Sequence, residues 1–131
     1  MAYLWVAIGG ALGSVGRFWL NGIISDRMGG SFPWGTLLIN IIGSLAIGII
    51  GALAVPEGRL DSASRAFATL FLMIGVCGGF TTFSSFSLQT LNLLREGQWL
   101  YAGSYILFSV VLCLLGVWLG WLLGATLSSN H

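Results

Sequence analysis

Charge is what this sequence lacks most. Only 7% of its 131 residues are charged: five Arg, four Asp or Glu and no Lys. A soluble domain averages roughly a quarter, so there are too few charges to cover a soluble surface. A net charge of +1 excludes a basic nucleic-acid binder, and two Cys exclude a disulfide scaffold. The one His, His131, falls in a polar tail where it is expected to be solvated. What fills the chain instead is apolar: 56% hydrophobic residues, with 20 Gly and six Trp. Such a composition excludes a disordered chain, and the length allows a single domain.

The spacing of the few charges sets out the architecture. Uncharged runs cover 1–16, 28–56, 66–94 and 97–131. A membrane crossing takes roughly 20 apolar residues, so four transmembrane helices are expected near 3–24, 32–55, 65–94 and 98–126 of one domain, 1–131. Lipid requires each span to satisfy its own backbone hydrogen bonds, and the runs lack the apolar–polar alternation of a barrel strand. The expected fold is an all-α integral membrane protein. Short connections carry Gly29-Gly30, Pro56-Glu57-Gly58 and Glu96-Gly97. Met1 opens an apolar stretch with no basic segment, so no cleaved signal peptide is expected.

Two aromatic belts are expected at opposite membrane faces. Tyr3, Trp5, Trp118 and Trp121 form one, and Trp19, Trp34, Trp99 and Tyr101 the other. Positive charge nearly balances across the bilayer: Arg59 and Arg65 on the first face, Arg27 and Arg95 on the second, with Arg17 deeper. The charge rule therefore barely selects an orientation, leaving insertion in both directions or one orientation fixed by other means. Small residues recur four apart at Gly9/Gly13, Ser44/Gly48/Ala52 and Gly116/Gly120/Gly124. Such rows allow close helix packing but identify no partner. Four helices can hardly enclose a polar path and still pack together, so conduction would call for an oligomer, most simply a two-fold dimer.

The third run is unusual. Gly78-Gly79 and the hydroxyls Thr81, Thr82, Ser84, Ser85 and Ser87 lie at mid-membrane depth. Each Gly weakens a helix by roughly 1 kcal/mol relative to Ala, and hydroxyls cap new helix starts. A break near 78–82 is expected, which membranes tolerate only in protein-buried or cavity-lining positions, and whose ends bind ions. Beyond it Thr82, Ser85 and Gln89 form a polar stripe beside Phe83 and Phe86. Ring edges are electropositive and can receive an anion; alternatively the hydroxyls bond back to their own helix and the rings face lipid or pack in the core. Asn40 offers either an interhelical hydrogen bond or a pore amide. Arg17 is functional or snorkels. Tyr105 and Ser109 join a polar track or bond locally.

No Asp or Glu lies inside a span. Cys77 and Cys113 lack metal-ligand spacing and read as packing thiols. There is no nucleophile–base pair and no phosphate-cradling loop, so catalysis has no candidate machinery.

The run Gly78-Gly79-Phe80-Thr81-Thr82-Phe83-Ser84-Ser85-Phe86-Ser87 resembles the GGxTTFSTFS signature of the Fluc (CrcB) fluoride channels. Gly9-Gly10-Ala11-Leu12-Gly13-Ser14-Val15-Gly16-Arg17 resembles that family's GGxxGxxxR pattern, and Pro33-Trp34-Gly35-Thr36-Leu37-Leu38-Ile39-Asn40-Ile41-Ile42-Gly43 its P-GTLxxNxxG pattern. The resemblance implies an antiparallel, dual-topology homodimer with two fluoride-selective pores. It implies that Phe83 and Phe86 line the pore, with Asn40 near the path and Thr82, Ser85, Tyr105 and Ser109 on or near a polar track. Arg17 would stand at the vestibule. A central sodium ion would be held by the backbone carbonyls of Gly78 and Thr81. Gln89 stands where Glu is frequent, Ser85 where Thr is common, and Cys113 where a hydroxyl occurs.

The implied function is passive export of fluoride across the cell (inner) membrane of a prokaryote by a multi-pass protein. Neutral donors and ring edges would replace part of the ion's hydration without a full charge to trap it. The competing class is a small multidrug-resistance-type exporter, also four-helical and dual-topology, which would want the membrane carboxylate that is absent.

Overall fold

The structure, a computed structural model, describes residues 1–129; Asn130 and His131 lie outside the described residues. Every regular element among the described residues is helical. Helix α1 spans Ala2–Met28 and α2 spans Trp34–Leu53. Helix α3 covers 62–80: an α-helical start, Ser62–Phe67, a wider π-helical stretch, Ala68–Cys77, and a closing turn, Gly78–Phe80. Helix α4 spans Ser84–Arg95 and α5 spans Trp99–Ser129. Three segments, Trp34–Leu53, Ser62–Arg95 and Trp99–Ser129, are long and apolar enough to cross a membrane. Helix α1 is 27 residues long but falls outside that set, its apolar face diluted by Ser14, Arg17 and Asn21.

Local chemistry explains the helix ends. Gly97 adopts φ 76°, which favours glycine. There the Gln98 amide reaches the Leu93 carbonyl at 2.9 Å and the Gly97 amide the Leu94 carbonyl at 3.1 Å. This paired reversal ends α4 and turns the chain straight into α5. At the start of α3 the Ser64 amide donates to the Asp61 carboxylate at 2.9 Å, satisfying one orphan donor of the first turn. Arg59 ties the same loop to the far end of α5 by donating to the Leu127 carbonyl at 3.2 Å.

The helices pack as two close pairs, α1 with α3 and α2 with α5, joined through contacts of α2 with α1 and α3. The small-residue rows are used inside the chain to make these seams. A Cβ at Gly120 would run into the Leu45 carbonyl, and one at Gly48 into that of Val117. In the other pair a Cβ at Gly79 would lie 2.5 Å from the Gly10 carbonyl oxygen. Leu37, Leu93, Ala102 and Tyr105 form the buried core between α2, α4 and α5. Apolar side chains such as Leu12, Val15, Leu107 and Leu114 cover the outward surface, as they would against lipid.

The interruption of the third segment is real but displaced. Gly78 remains helical (φ −64°, ψ −39°), and the helix continues to Phe80. Thr81 is extended (φ −85°, ψ 159°) and α4 resumes at Ser84. The break therefore falls at 81–83 rather than at the glycines. Their role is close approach: Gly79 presses on the α1 backbone, where a side chain has no room. The helix gives way instead where Asn40 offers the backbone other partners.

Candidate functional site

Thr82 is the hinge of the site. Its amide donates to Asn40 Oδ1 at 2.8 Å, and its carbonyl accepts from Asn40 Nδ2 at 3.0 Å. The side-chain amide of α2 thus replaces two helical bonds of the third segment. Its orientation is fixed by the pairing, because exchanging O and N would set donor against donor and acceptor against acceptor. The Thr82 hydroxyl caps α4 by accepting from the Ser85 amide at 3.2 Å. It also lies 3.4 Å from the Ser84 hydroxyl. Hydroxyl capping of a restarted helix, expected from the sequence, is thus present.

These substitutions leave two carbonyls without their usual helical donors. The Thr82 amide, which would serve Gly78, is held by Asn40. The Ser85 amide, which would serve Thr81, is held by Thr82. The Thr81 side chain is itself tied back, its hydroxyl donating to the Cys77 carbonyl at 2.9 Å. Gly78 and Thr81 therefore carry two uncommitted backbone oxygens at the break. Hard cations take oxygen donors of this kind.

Two cavities meet at Thr82. One is a polar space of about 370 Å³ whose lining includes Arg17, Asn21, Thr36, Thr82, Ser85 and Gln89. The other is an open groove of about 380 Å³ walled by Asn40, Thr82, Phe83, Phe86 and Ser109, with Thr81, Cys77 and Cys113. No carboxylate lines either space, and Arg17 is the single charged liner. Arg17 is half-buried and its Nε is without a partner. The Ser109 hydroxyl is likewise buried and unpartnered. Both are donors held ready in a place of low dielectric.

The aromatic rings form a file from the groove into the core. Phe83 and Phe86 lie 5.4 Å apart, and Phe86 and Tyr105 5.0 Å, all tilted; Phe32 meets Tyr105 edge-on at 5.5 Å. Phe83 is 78% exposed on the single chain, whereas Tyr105 is fully buried. Tyr105 lines neither cavity: its ring belongs to the core, and its hydroxyl donates to Gln89 Oε1 at 2.8 Å. It stands behind the expected polar track rather than on it. Gly78 also lines neither space.

Some site residues were not singled out by sequence. Ser14 and Asn21 are such residues: with Arg17, which the sequence did mark, they repeat the i, i+3, i+7 spacing of Thr82, Ser85 and Gln89, and the two stripes face one cavity. That repeated spacing was the signal. Thr36, buried on α2, had none.

Residues 4–121 match the family of CrcB-like proteins, Camphor Resistance (CrcB). The chain belongs to the CrcB-like family. Curated relatives include a protein of Rhodospirillum rubrum, 57% identical over 120 residues, covering 92% of each chain. One of Opitutus terrae is 55% identical over 127 residues, 97% of this chain and 95% of the relative. One of Methylocella silvestris is 55% identical over 120 residues, 92% and 90%. All three bear the name fluoride-specific ion channel FluC. CrcB-like membership fits an all-helical, multi-pass chain whose polar residues converge on a helix interruption rather than on a catalytic pair.

Proposed function

We propose that this protein is a fluoride-selective channel, and not an enzyme, through which fluoride leaves the cell passively. The observation that carries the reading is the junction at Thr82, where a polar cavity with one cation meets an aromatic groove without any charge. The names of the relatives point the same way. An anion drawn toward Arg17 would shed water onto Thr82, Ser85 and the amide of Asn40, then pass the rims of Phe83 and Phe86 to the hydroxyl of Ser109. Tyr105 acts from behind, holding Gln89 and backing Phe86. With no fixed positive charge in the groove the ion is not trapped, which conduction requires.

The working unit in this reading is an antiparallel homodimer, each copy crossing the membrane four times, in the inner membrane of a prokaryote. The groove is open on one side, and Phe83 is largely uncovered. An inverted second copy would close it and give two pores. The near balance of Arg across the chain suits dual insertion. The uncommitted carbonyls of Gly78 and Thr81 fit a sodium ion between the two breaks. When bound, it would link the subunits and make the centre electropositive.

The test is fluoride efflux from liposomes loaded with fluoride and containing the purified protein, read by a fluoride electrode. Rapid efflux with chloride retained is expected. Proteoliposomes no leakier to fluoride than empty vesicles would end the reading. Cysteine labelling of the loops should find each of them on both sides of the membrane; one-sided labelling would exclude the inverted dimer.

A further inference from the structure

The polar residues of the site do not end at Arg17. Asn21 follows Arg17 by four positions on α1, and Gln89 follows Ser85 by four on α4. Each therefore lies one turn, about 6 Å, nearer the Met28 or Arg95 end of its helix, and on the same face as the residue it follows. Beyond them is a further space of about 260 Å³, walled by Ser25, Gly29, Phe32, Asn92 and Glu96. Asn21 and Gln89 line this outer space as well as the polar cavity of Arg17. The one charged liner of the outer space is Glu96, so an anion arriving there meets no cation until it reaches Arg17.

Both carboxamides are anchored through their oxygens. A Cβ at Gly35 would fall on Asn21 Oδ1, so that oxygen lies against the Gly35 Cα, whose C–H is a weak donor. Gln89 Oε1 accepts from the Tyr105 hydroxyl at 2.8 Å. The two residues are half-buried, and neither amide nitrogen has a hydrogen-bond partner among the described residues. Those nitrogens can only donate.

We infer that Asn21, with Gln89, is the outer anion contact of the route. Its neutral N–H groups take a partly hydrated fluoride from the outer space and pass it to Arg17, one turn further in. The pair sorts ions by sign, because its acceptor oxygens are turned onto Gly35 and Tyr105 and a cation finds only donors. Without a full charge at this level the anion is not held there. The contact is argued from the anchored amides; fluoride as the ion it serves rests on the channel function proposed above.

Two variants separate a donor from a packing residue. Asn21→Leu keeps the branched skeleton against Gly35 and removes the donor, whereas Asn21→Ser gives up the packing and keeps a donor. Fluoride efflux should fall about tenfold in Asn21→Leu, the equivalent of one hydrogen bond to a charged group, and about threefold in Asn21→Ser, which has a hydroxyl to offer. Equal losses in the two, or a larger loss in Asn21→Ser, assign Asn21 to packing and overturn the contact. Undiminished efflux in Asn21→Leu overturns it too and leaves the channel reading standing. A second measurement does not depend on conduction: sodium fluoride is titrated into isotope-labelled, full-length protein in detergent and the side-chain NH2 resonances are followed. The Asn21 pair, identified by its loss in Asn21→Leu, should move with fluoride and stay still with sodium gluconate at equal ionic strength. A pair that ignores fluoride, or that gluconate moves equally, overturns the contact. Movement with fluoride in a natural protein that passes no fluoride supports the contact and removes the channel reading instead.

Discussion

Replacing Asn40 with Leu keeps the branched side-chain skeleton and removes both bonds to Thr82. The Thr82 amide and carbonyl, at 2.8 and 3.0 Å from Asn40, would then be left unpaired. Each such group costs about 1–3 kcal/mol, so the pair costs about 2–6 kcal/mol, a large share of the about 5–15 kcal/mol that holds a typical fold together. The loss should be local first, since the bonds sit on the one stretch with no helical ladder of its own. Hydrogen exchange should show it: the Thr82 amide should exchange at least about thirtyfold faster than in the natural protein, the low end of that cost. Denaturation in detergent should report a lowered midpoint. The reasoning fails if the Thr82 amide stays protected and stability moves by less than about 0.5 kcal/mol, the range of ordinary surface substitutions. In that case water in the groove serves the backbone as well as the amide does.

Other outcomes follow from the same geometry. Phe83→Ile should fold normally, because Phe83 is largely exposed on the chain, yet abolish fluoride efflux; undiminished flux would remove the ring-edge mechanism. Phe86→Ile should also stop flux but with lowered stability, since Phe86 packs on the buried cluster with Tyr105; a melting point equal to that of Phe83→Ile would contradict this. Gly79→Ala should sharply reduce the yield of folded protein, because its Cβ would press on the Gly10 backbone, whereas Gly22→Ala, with open space around it, should be silent. Similar yields for the two would show that the α1–α3 seam can give. Hydrogen bonding from Ser64 lowers the pKa of Asp61 below 3.8. With the folded-state value depressed, the stabilisation is present above the unfolded value and fades as pH falls through the folded one. Melting curves should therefore lose this contribution only in acid, and Asp61→Asn, which keeps an acceptor, should flatten that part of the profile; an unchanged acid limb would refute it.

Much of the architecture was legible because charge is so rare. Arg95 and Glu96 mark the turn between α4 and α5, and the uncharged runs on either side are long enough for helices. The glycine pair at 78–79 places the break only to within a turn, because a weak helix former and a close-packing residue look the same in one dimension. Only the position of Gly10 on a neighbouring helix shows which role applies. Asn40 is the mirror case: its sequence position left two roles open, and its partner 42 residues away makes the structural one visible. The π-helical stretch Ala68–Cys77 carried no sequence signal that separated it from an ordinary apolar helix.

The two seams lock backbone against backbone, so each helix pair behaves as a stiff plate. What sets one plate against the other near the middle of the chain is a side-chain amide clasped onto Thr82. A rivet of this kind touches only main-chain atoms of the residue it holds. The exposed ring of Phe83 can thus be exchanged over evolutionary time without unfastening the joint, and the passage can be retuned while its frame stays put.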